Sequence, residues 1–548
     1  MLYLIQLISP IVIKENKFIK RMVLMKKQRK IVIRSSKIYT KKGFSPESGY
    51  IFIEGNIIKS ITKENPISDE DVTFIDCKNG LVTAGNVDSH CFFSGHAMNF
   101  IGEDFSDVQT SNDLFTKLSH LTNLEDNKAI ILGHDLPQKF TNSKYAKKLN
   151  KLFPDIPTVI MASGAETCLL NSAAESRFNF TSQTCYPEAY WRLLHYVFSD
   201  KKFIKPLFVS YMKFLNSRGI TAIKEMGFDD FYGFTDILKE LEESSDLSLR
   251  VNFMSQPVSE KMNIDYAKKM SALFTGDAIR FSGFNKMTDG SISEMKGDLK
   301  QPYTNNSEIT NIEKIDWNEI ERDLKIADNH GFRFSLHAQG DGAVSKTVSL
   351  MEKCQTDING KLLNRHSITD LELTEKDDLK KMGDLGIIAE IYPQITSLYD
   401  NPLAKVKQIK EYVGPRAKYY WNRKEMINNN IILSCGTDLP LLYDDIPESI
   451  FNACGGYFTD DSFQFNSNNC LNVSELIDAW TSGGAYNLGL EDKIGTLEAG
   501  KLADIVIYSD DLFSIPIKNV KQAKVVTTIY DGKIVFKDDS VIINSNTK

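Results

Sequence analysis

The stretch "GLVTAGNVDSHCFFSGH", residues 80–96, decides the fold. An apolar run ends in Asp88 and His90 and gives way to a loop, which is how a buried strand that delivers side chains to a site ends. The residue that would share a strand face with His90 is Phe92, which has no lone pair to offer a metal ion. Cys91 cannot stand in for it, because adjacent strand residues face opposite sides. His96 could do so only by swinging back from the loop.

Working outward, strands of the same kind recur, several of them ending in polar, ionisable residues: "AIILGHD", "GITAIKEMG", "IRFSGFNKMTDG", "FRFSLHAQGD", "RHSITD", "GIIAEIYPQ" and "IILSCGTD". With the opening strand they make eight, and helical patterns such as "DWNEIERDLKIADNHG" intervene. The expectation is an α/β protein: a (β/α)8 TIM-type barrel over 86–487, with an insertion at about 101–211 beside its mouth. Residues 30–85 and 488–548 read instead as short strands with turn signals, including an Asp-Gly hairpin between "TTIY" and "KIVF". Neither end could bury a core alone, so a small composite β-sandwich formed from both chain ends is expected.

Composition narrows the function. The chain of 548 residues is 42% hydrophobic and 25% charged with a formal net charge of −7, as in a soluble globular protein without a nucleic-acid footprint. A small-molecule substrate is the expected partner, with no nucleic acid and no membrane, and a homodimer is a permitted assembly. The eight cysteines include no CxxC pair, which argues for reduced, mostly buried thiols. The N-terminal extension, residues 1–29, is apolar and then basic. It has neither the order of a secretory signal nor the length of a membrane span. Met22 or Met25 could be the working start, and cytoplasm is expected ahead of the mitochondrion.

Three of the eight histidines, His90, His337 and His366, fall at inferred strand ends, as does Asp438. A lone histidine is more often structural, but several converging with a carboxylate at a barrel mouth make the layout of an open metal site. Lys286, taken alone, reads as a solvated or salt-bridged lysine.

From about Lys30 to Asp539 the chain resembles the amidohydrolase superfamily, close to amidohydrolase family 3 and its N-substituted formamide deformylases. "GLVTAGNVDSH" is similar to that family's Pro-Gly-Phe-hydrophobic-Asp-x-His strand and "GITAIKEMG" to its third strand. "NKMTDGS" resembles its Lys-x-x-x-Asp-Gly-Ser block, "FSLHAQGDGAV" its His-x-x-Gly-Asp-x-Ala block and "CGTDLP" its Gly-Ser-Asp-x-Pro strand. "EDKIGTLEAGKLADIVIYSDD" resembles the turn that returns the chain to the sandwich.

The resemblance implies a metal-dependent hydrolase of non-peptide carbon–nitrogen bonds in a small amide, formamide or cyclic amide. It implies metal ligation by His90, Lys286 (as a carboxylated bridge), His337, His366 and Asp438, with Asp438 as proton shuttle; Glu225 and His96 are further candidate ligands. The sequence departs from the pattern at Phe92, at Ala84-Gly85, at Arg365 before His366, and at Glu166, where the family has a histidine. A divalent ion, zinc by its ligand types, is therefore expected, and one ion rather than two. The alternative is a catalytically silent protein of the same fold that binds a ligand or partner. Small-molecule deamination also lies within reach of the fold.

Overall fold

The computed structural model of the chain describes residues 29–66, 72–122, 130–164, 167–185, 190–227, 233–257, 261–539 and 544–546. The extension before residue 29, and Glu166, lie outside the described residues.

Eight parallel strands form the central sheet in sequential order: Asn86–Cys91, Ile220–Glu225, Arg250–Ser255, Ile279–Met287, Phe334–Ala338, Ser367–Asp370, Ile388–Ile391 and Leu433–Cys435. They are called the first to eighth strands below. The first, second, third and seventh are buried at every residue, as expected of a parallel sheet covered on both faces. The eighth strand returns to the first at a polar seam. Asp438 N donates to His90 O at 2.8 Å and Phe92 N to Leu439 O at 2.8 Å. Asp88 accepts from Thr437 N at 3.1 Å and from Thr437 Oγ1 at 2.6 Å. The sheet is thus a nearly closed TIM-type barrel.

One strand assignment changes. "AIILGHD" is not in the barrel: Ile131–Leu136 lies in a separate four-stranded sheet with Glu103–Asp104, Thr158–Ala162 and Cys168–Leu170. That sheet has its own core, including Phe105, Leu114, Leu136, Leu149, Phe153 and Ile160, and it sits in the long excursion between the first and second strands. Its place in the barrel is taken by Arg250–Ser255, whose Arg250 and Asn252 make it look like a surface strand although both are buried. "GITAIKEMG" is accordingly the second strand.

The chain ends meet in one branched nine-stranded sheet. Its core gathers Ile31, Ile33, Ile51 and Val82 from one end with Ile505, Ile507 and Ile529 from the other. The join is antiparallel, with Val506 opposite Thr83. A bulge between Ser35 and Ile38 lets strand Lys30–Ile38 pair first with Thr73–Asp76 and then with Leu81–Ala84. The expected hairpin is present, with Asp531 and Gly532 both at positive φ (49° and 70°), the pairing a two-residue turn requires. All eight cysteines are free, and all but Cys470 are buried. Among the described residues no helix is long and apolar enough to cross a membrane.

The composite sheet is tied to the barrel floor by a buried fork. Arg250, at the start of the third strand, donates to Asp504 through Nε at 2.7 Å and Nη2 at 3.0 Å, and to Asp531 at 3.2 Å. Removing one partner of a buried ion pair strands the other charge, at a cost of about 3–5 kcal/mol, whereas replacing both with apolar groups costs far less. Asp504→Ala is therefore expected to lower stability by about 3–5 kcal/mol, and Arg250→Met with Asp504→Leu to recover most of it. Urea unfolding of the three proteins checks this; equal losses in the single and double variants would contradict it.

Candidate active site

The C-terminal strand ends bring two imidazole–carboxylate pairs to the barrel mouth. In the first, His90 Nε2 lies 3.8 Å from Asp438 Oδ1. Gly436 makes the approach possible, since a Cβ there would stand 2.6 Å from His90 Cβ. The other ring nitrogen, Nδ1, is 3.4 Å from Glu390 Oε2. Burial holds His90 below its ordinary pKa; a neutral ring that donates from Nδ1 to Glu390 would leave the Nε2 lone pair for a cation between it and Asp438.

In the second pair, His337 Nε2 lies 3.0 Å from Asp370 Oδ2, which also accepts from Gln339 Nε2 at 2.7 Å. His337 Nδ1 is buried without a hydrogen-bond partner, 3.8 Å from Asp289 Oδ1. Burial opposes the charged ring, but the Asp370 hydrogen bond and the charges of Asp370, Asp289 and Asp438 outweigh it and raise His337 to about 9. Both site carboxylates sit on left-handed backbone, with φ 78° at Asp370 and 52° at Asp438. Such strain at turns off a barrel rim accompanies functional placement.

Several expected ligands lie elsewhere. Lys286 points out of the barrel, to Glu319 at 3.0 Å and Asp323 at 3.2 Å on helix Trp317–Asn329. It is the salt-bridged lysine that it resembles when taken alone. The inward residue is Asn285, buried and paired in register with Ser335, its Nδ2 3.3 Å from Gln256 Oε1. Spacing carried the warning: two residues separate Lys286 from Asp289, where the motif has three.

His366 precedes the sixth strand and so lies at the barrel floor. Its Nδ1 accepts from Phe334 N at 2.9 Å and its Nε2 faces Asp328 Oδ1 at 3.1 Å. With Cys354 these form a buried trio whose spacing could accept a metal ion. Asp328, however, also takes Asn364 Nδ2 at 2.7 Å and Gln355 N at 2.8 Å, which makes the trio a closed hydrogen-bond network. Asp370, four residues on, occupies the mouth in its stead and was missed because a histidine drew the assignment.

Glu225 faces outward. Its carboxylate caps the short helix Phe93–Met98 by accepting from Phe93 N at 2.9 and 3.0 Å, and burial raises it to about 8. His96 lies on that helix, its ring tilted against Tyr211 at 4.8 Å and Phe100 at 4.9 Å between centres, not over the mouth. Phe92 stands edge-on to His90, ring centres 5.4 Å apart.

Burial lowers the His96 imidazole to about 4, against 6.5 in an unfolded chain. Between those values the unfolded state binds the extra proton, so stability present above pH 6.5 is lost as pH falls to 4, by about 3 kcal/mol. His96→Phe should lack this component. Unfolding free energies at pH 7 and pH 4 check it, and an equal acid loss in both proteins would remove His96 as its source.

Comparison with known proteins agrees with the barrel. YtcJ of Bacillus subtilis (strain 168), named as a candidate amidohydrolase, is 20% identical over 530 residues, covering 91% of this chain and 98% of its own. Among solved structures, an uncharacterized metal-dependent hydrolase from Pyrococcus horikoshii OT3 superposes with a TM-score of 0.66 at 18% identity, covering 89% of this chain and 99% of its own. One from Pyrococcus furiosus gives 0.65 at 18% identity, covering 88% and 100%. These likenesses speak for the fold. The model of the amidohydrolase family matches residues 73–536, and the chain belongs to that family.

Proposed function

We propose that this chain is a hydrolase of the amidohydrolase type that cleaves a carbon–nitrogen bond of a small amide, formamide or cyclic amide with the help of one divalent ion. The observation that carries the reading is the pairing of His90 with Asp438 and of His337 with Asp370, with His337 Nδ1 buried and unsatisfied. Nitrogen and carboxylate donors of this kind suit zinc. They suffice for one ion and not for two, since Phe92 and Asn285 bring no charged donor where a second would need them. No three ligand atoms of this set lie within 4.8 Å of one another in the described structure, so the two pairs must draw together to ligate.

His90, His337, Asp370 and Asp438 would hold the ion, which supplies polarisation of the substrate carbonyl and a water acidic enough to react near neutrality. The chain's own residues do the rest. Glu390 fixes His90 in the tautomer with a free Nε2. His337 must release the proton that its carboxylate neighbours stabilise. Asp438 takes a proton from the attacking water at its carboxylate and passes it to the leaving nitrogen, since an amide nitrogen leaves poorly without it. The second reading, a silent scaffold, is favoured by the Phe92 ring beside His90.

Elemental analysis separates the two. About one divalent ion per chain is expected in wild type and in Lys286→Met, and little in Asp370→Ala. Wild type purified without chelator and free of metal would leave the silent scaffold. With a cleaved amide in hand, Asp438→Asn should keep most of the metal and lose on the order of a hundredfold in turnover; an unchanged rate would take the shuttle role from Asp438.

A further inference from the structure

The insertion sheet carries a further group of metal-ligating side chains, none of them shared with the mouth pairs. Asp104, His134 and Asp135 each offer an atom within 4.8 Å of the others. Asp104 and His134 stand directly opposite in the parallel pairing of Glu103–Asp104 with Ile131–Leu136, where neighbouring strands run about 4.8 Å apart. Asp135 follows His134 and in a regular strand would face the other way. Its backbone is left-handed instead (φ 55°), and the pairing with Thr158–Ala162 slips between Gly133 and Leu136. A bulge of this kind re-aims a side chain, and here it brings two consecutive residues to one place.

His134 is set for ligation. Its Nδ1 lies 2.9 Å from Ile101 O, which can only accept, so Nδ1 carries the proton and in the neutral ring Nε2 keeps its lone pair. That nitrogen is 4.0 Å from Asp135 Oδ2. The gap is too long for a hydrogen bond, and about half an ångström wider than the edge of a zinc tetrahedron with bonds of about 2.1 Å. Asp104 uses Oδ1 on Ser106 N at 2.8 Å and has its other oxygen to give. Among the described residues no lysine or arginine nitrogen comes within 4.0 Å of either carboxylate, so two like charges are gathered without a counter-ion.

We propose that Asp104, His134 and Asp135 bind a divalent cation of the zinc type, which fastens the insertion sheet to the segment leaving the first barrel strand. That segment supplies Ile101 to the imidazole, and Phe100, whose ring centre lies 6.4 Å from that of His134. Two carboxylates and a neutral imidazole carry the charge that one divalent ion balances. The imidazole selects zinc over magnesium and calcium, which prefer oxygen throughout. Water completes the tetrahedron on the exposed side, where Asp135 is 42% accessible. Such an open site empties during purification and fills with added zinc, so it adds nothing to the ion count of the protein as purified. The proposal does not rest on the hydrolase reading.

The test is calorimetric titration of the full chain with zinc chloride after chelator treatment, in an Asp370→Ala background that clears the mouth of its ion. Zinc should bind with a stoichiometry of about one per chain and raise the Tm. Adding Asp135→Asn or His134→Gln should weaken binding at least about tenfold, the scale on which even groups that support a ligand act, and abolish the rise in Tm. Asp135→Asn keeps the fold, because Asp135 makes no hydrogen bond among the described residues and asparagine accepts the left-handed backbone. No zinc bound, or binding undiminished by either substitution, would overturn the proposal; the second result means an adventitious ion only. Magnesium chloride should give no binding heat, and magnesium held as tightly as zinc would overturn the site as well, leaving an ordinary acidic patch. The two readings fail separately. A wild type that binds no more zinc than Asp370→Ala sinks the mouth ion and leaves this site standing; loss of zinc on Asp370→Ala alone, with nothing further lost on Asp135→Asn, does the reverse.

Discussion

A single buried carboxylate, that of Glu390 on the seventh strand, holds the barrel interior together. It ion-pairs with Lys224 of the second strand and accepts from Ser335 of the fifth at 3.0 Å and from Asn487 Nδ2 of helix Gly484–Leu488 at 3.1 Å. Its other oxygen faces His90 of the first strand. Burial alone would neutralise such a group. The ammonium of Lys224 outweighs that and keeps the carboxylate ionised well below its ordinary range, while burial brings Lys224 itself down to about 8. The charge cannot be lost without leaving its partners unpaired in a dry interior. The orientation of His90 at the mouth is thus inherited from a layer beneath it.

This arrangement explains how the mouth could change while the barrel stayed. Phe92 packs against the ring it might have been expected to assist, and Asn285 bonds to Gln256. Each fills its space with ordinary packing or an ordinary hydrogen bond. Neither hydrogen-bonds to Glu390 itself, so substitutions at these two positions alter what the site can ligate and leave the Glu390–Lys224 pair in place.

The barrel and the joining of the two ends were legible because they rest on apolar runs and turn residues, whose spacing is a local property. Of the expected site residues, those that come together at the mouth are the ones where strand and rim coincide, His90, His337 and Asp438. Lys286 and Asn285 are neighbours with opposite facing, so a slip of one residue moves a lysine from the lumen to the outer helix layer. His366 and Asp370 bracket one strand, and nothing in their residue types says which end is the mouth. Ile131–Leu136 was taken for a barrel strand because it is apolar with a polar end, while Arg250–Ser255 was passed over because its charge pairs with Asp504, some 250 positions along the chain. Long-range pairing of that kind has no local signature. Glu390 went unremarked for the same reason: a glutamate between Ala389 and Ile391 looks like an exposed residue until its lysine is found.

The shared sheet of the two chain ends also sets a timetable. Leu81–Ala84 can pair on its free side only with Ile505–Tyr508, which leaves the ribosome after the whole barrel. Until then Ile33, Ile51 and Val82, fully buried in the finished protein, have no opposite wall, and the strand edge beside them is open. An unpaired apolar edge that persists through synthesis invites pairing with other chains. The nascent N-terminal strands are thus natural clients for a chaperone that covers edges until translation ends.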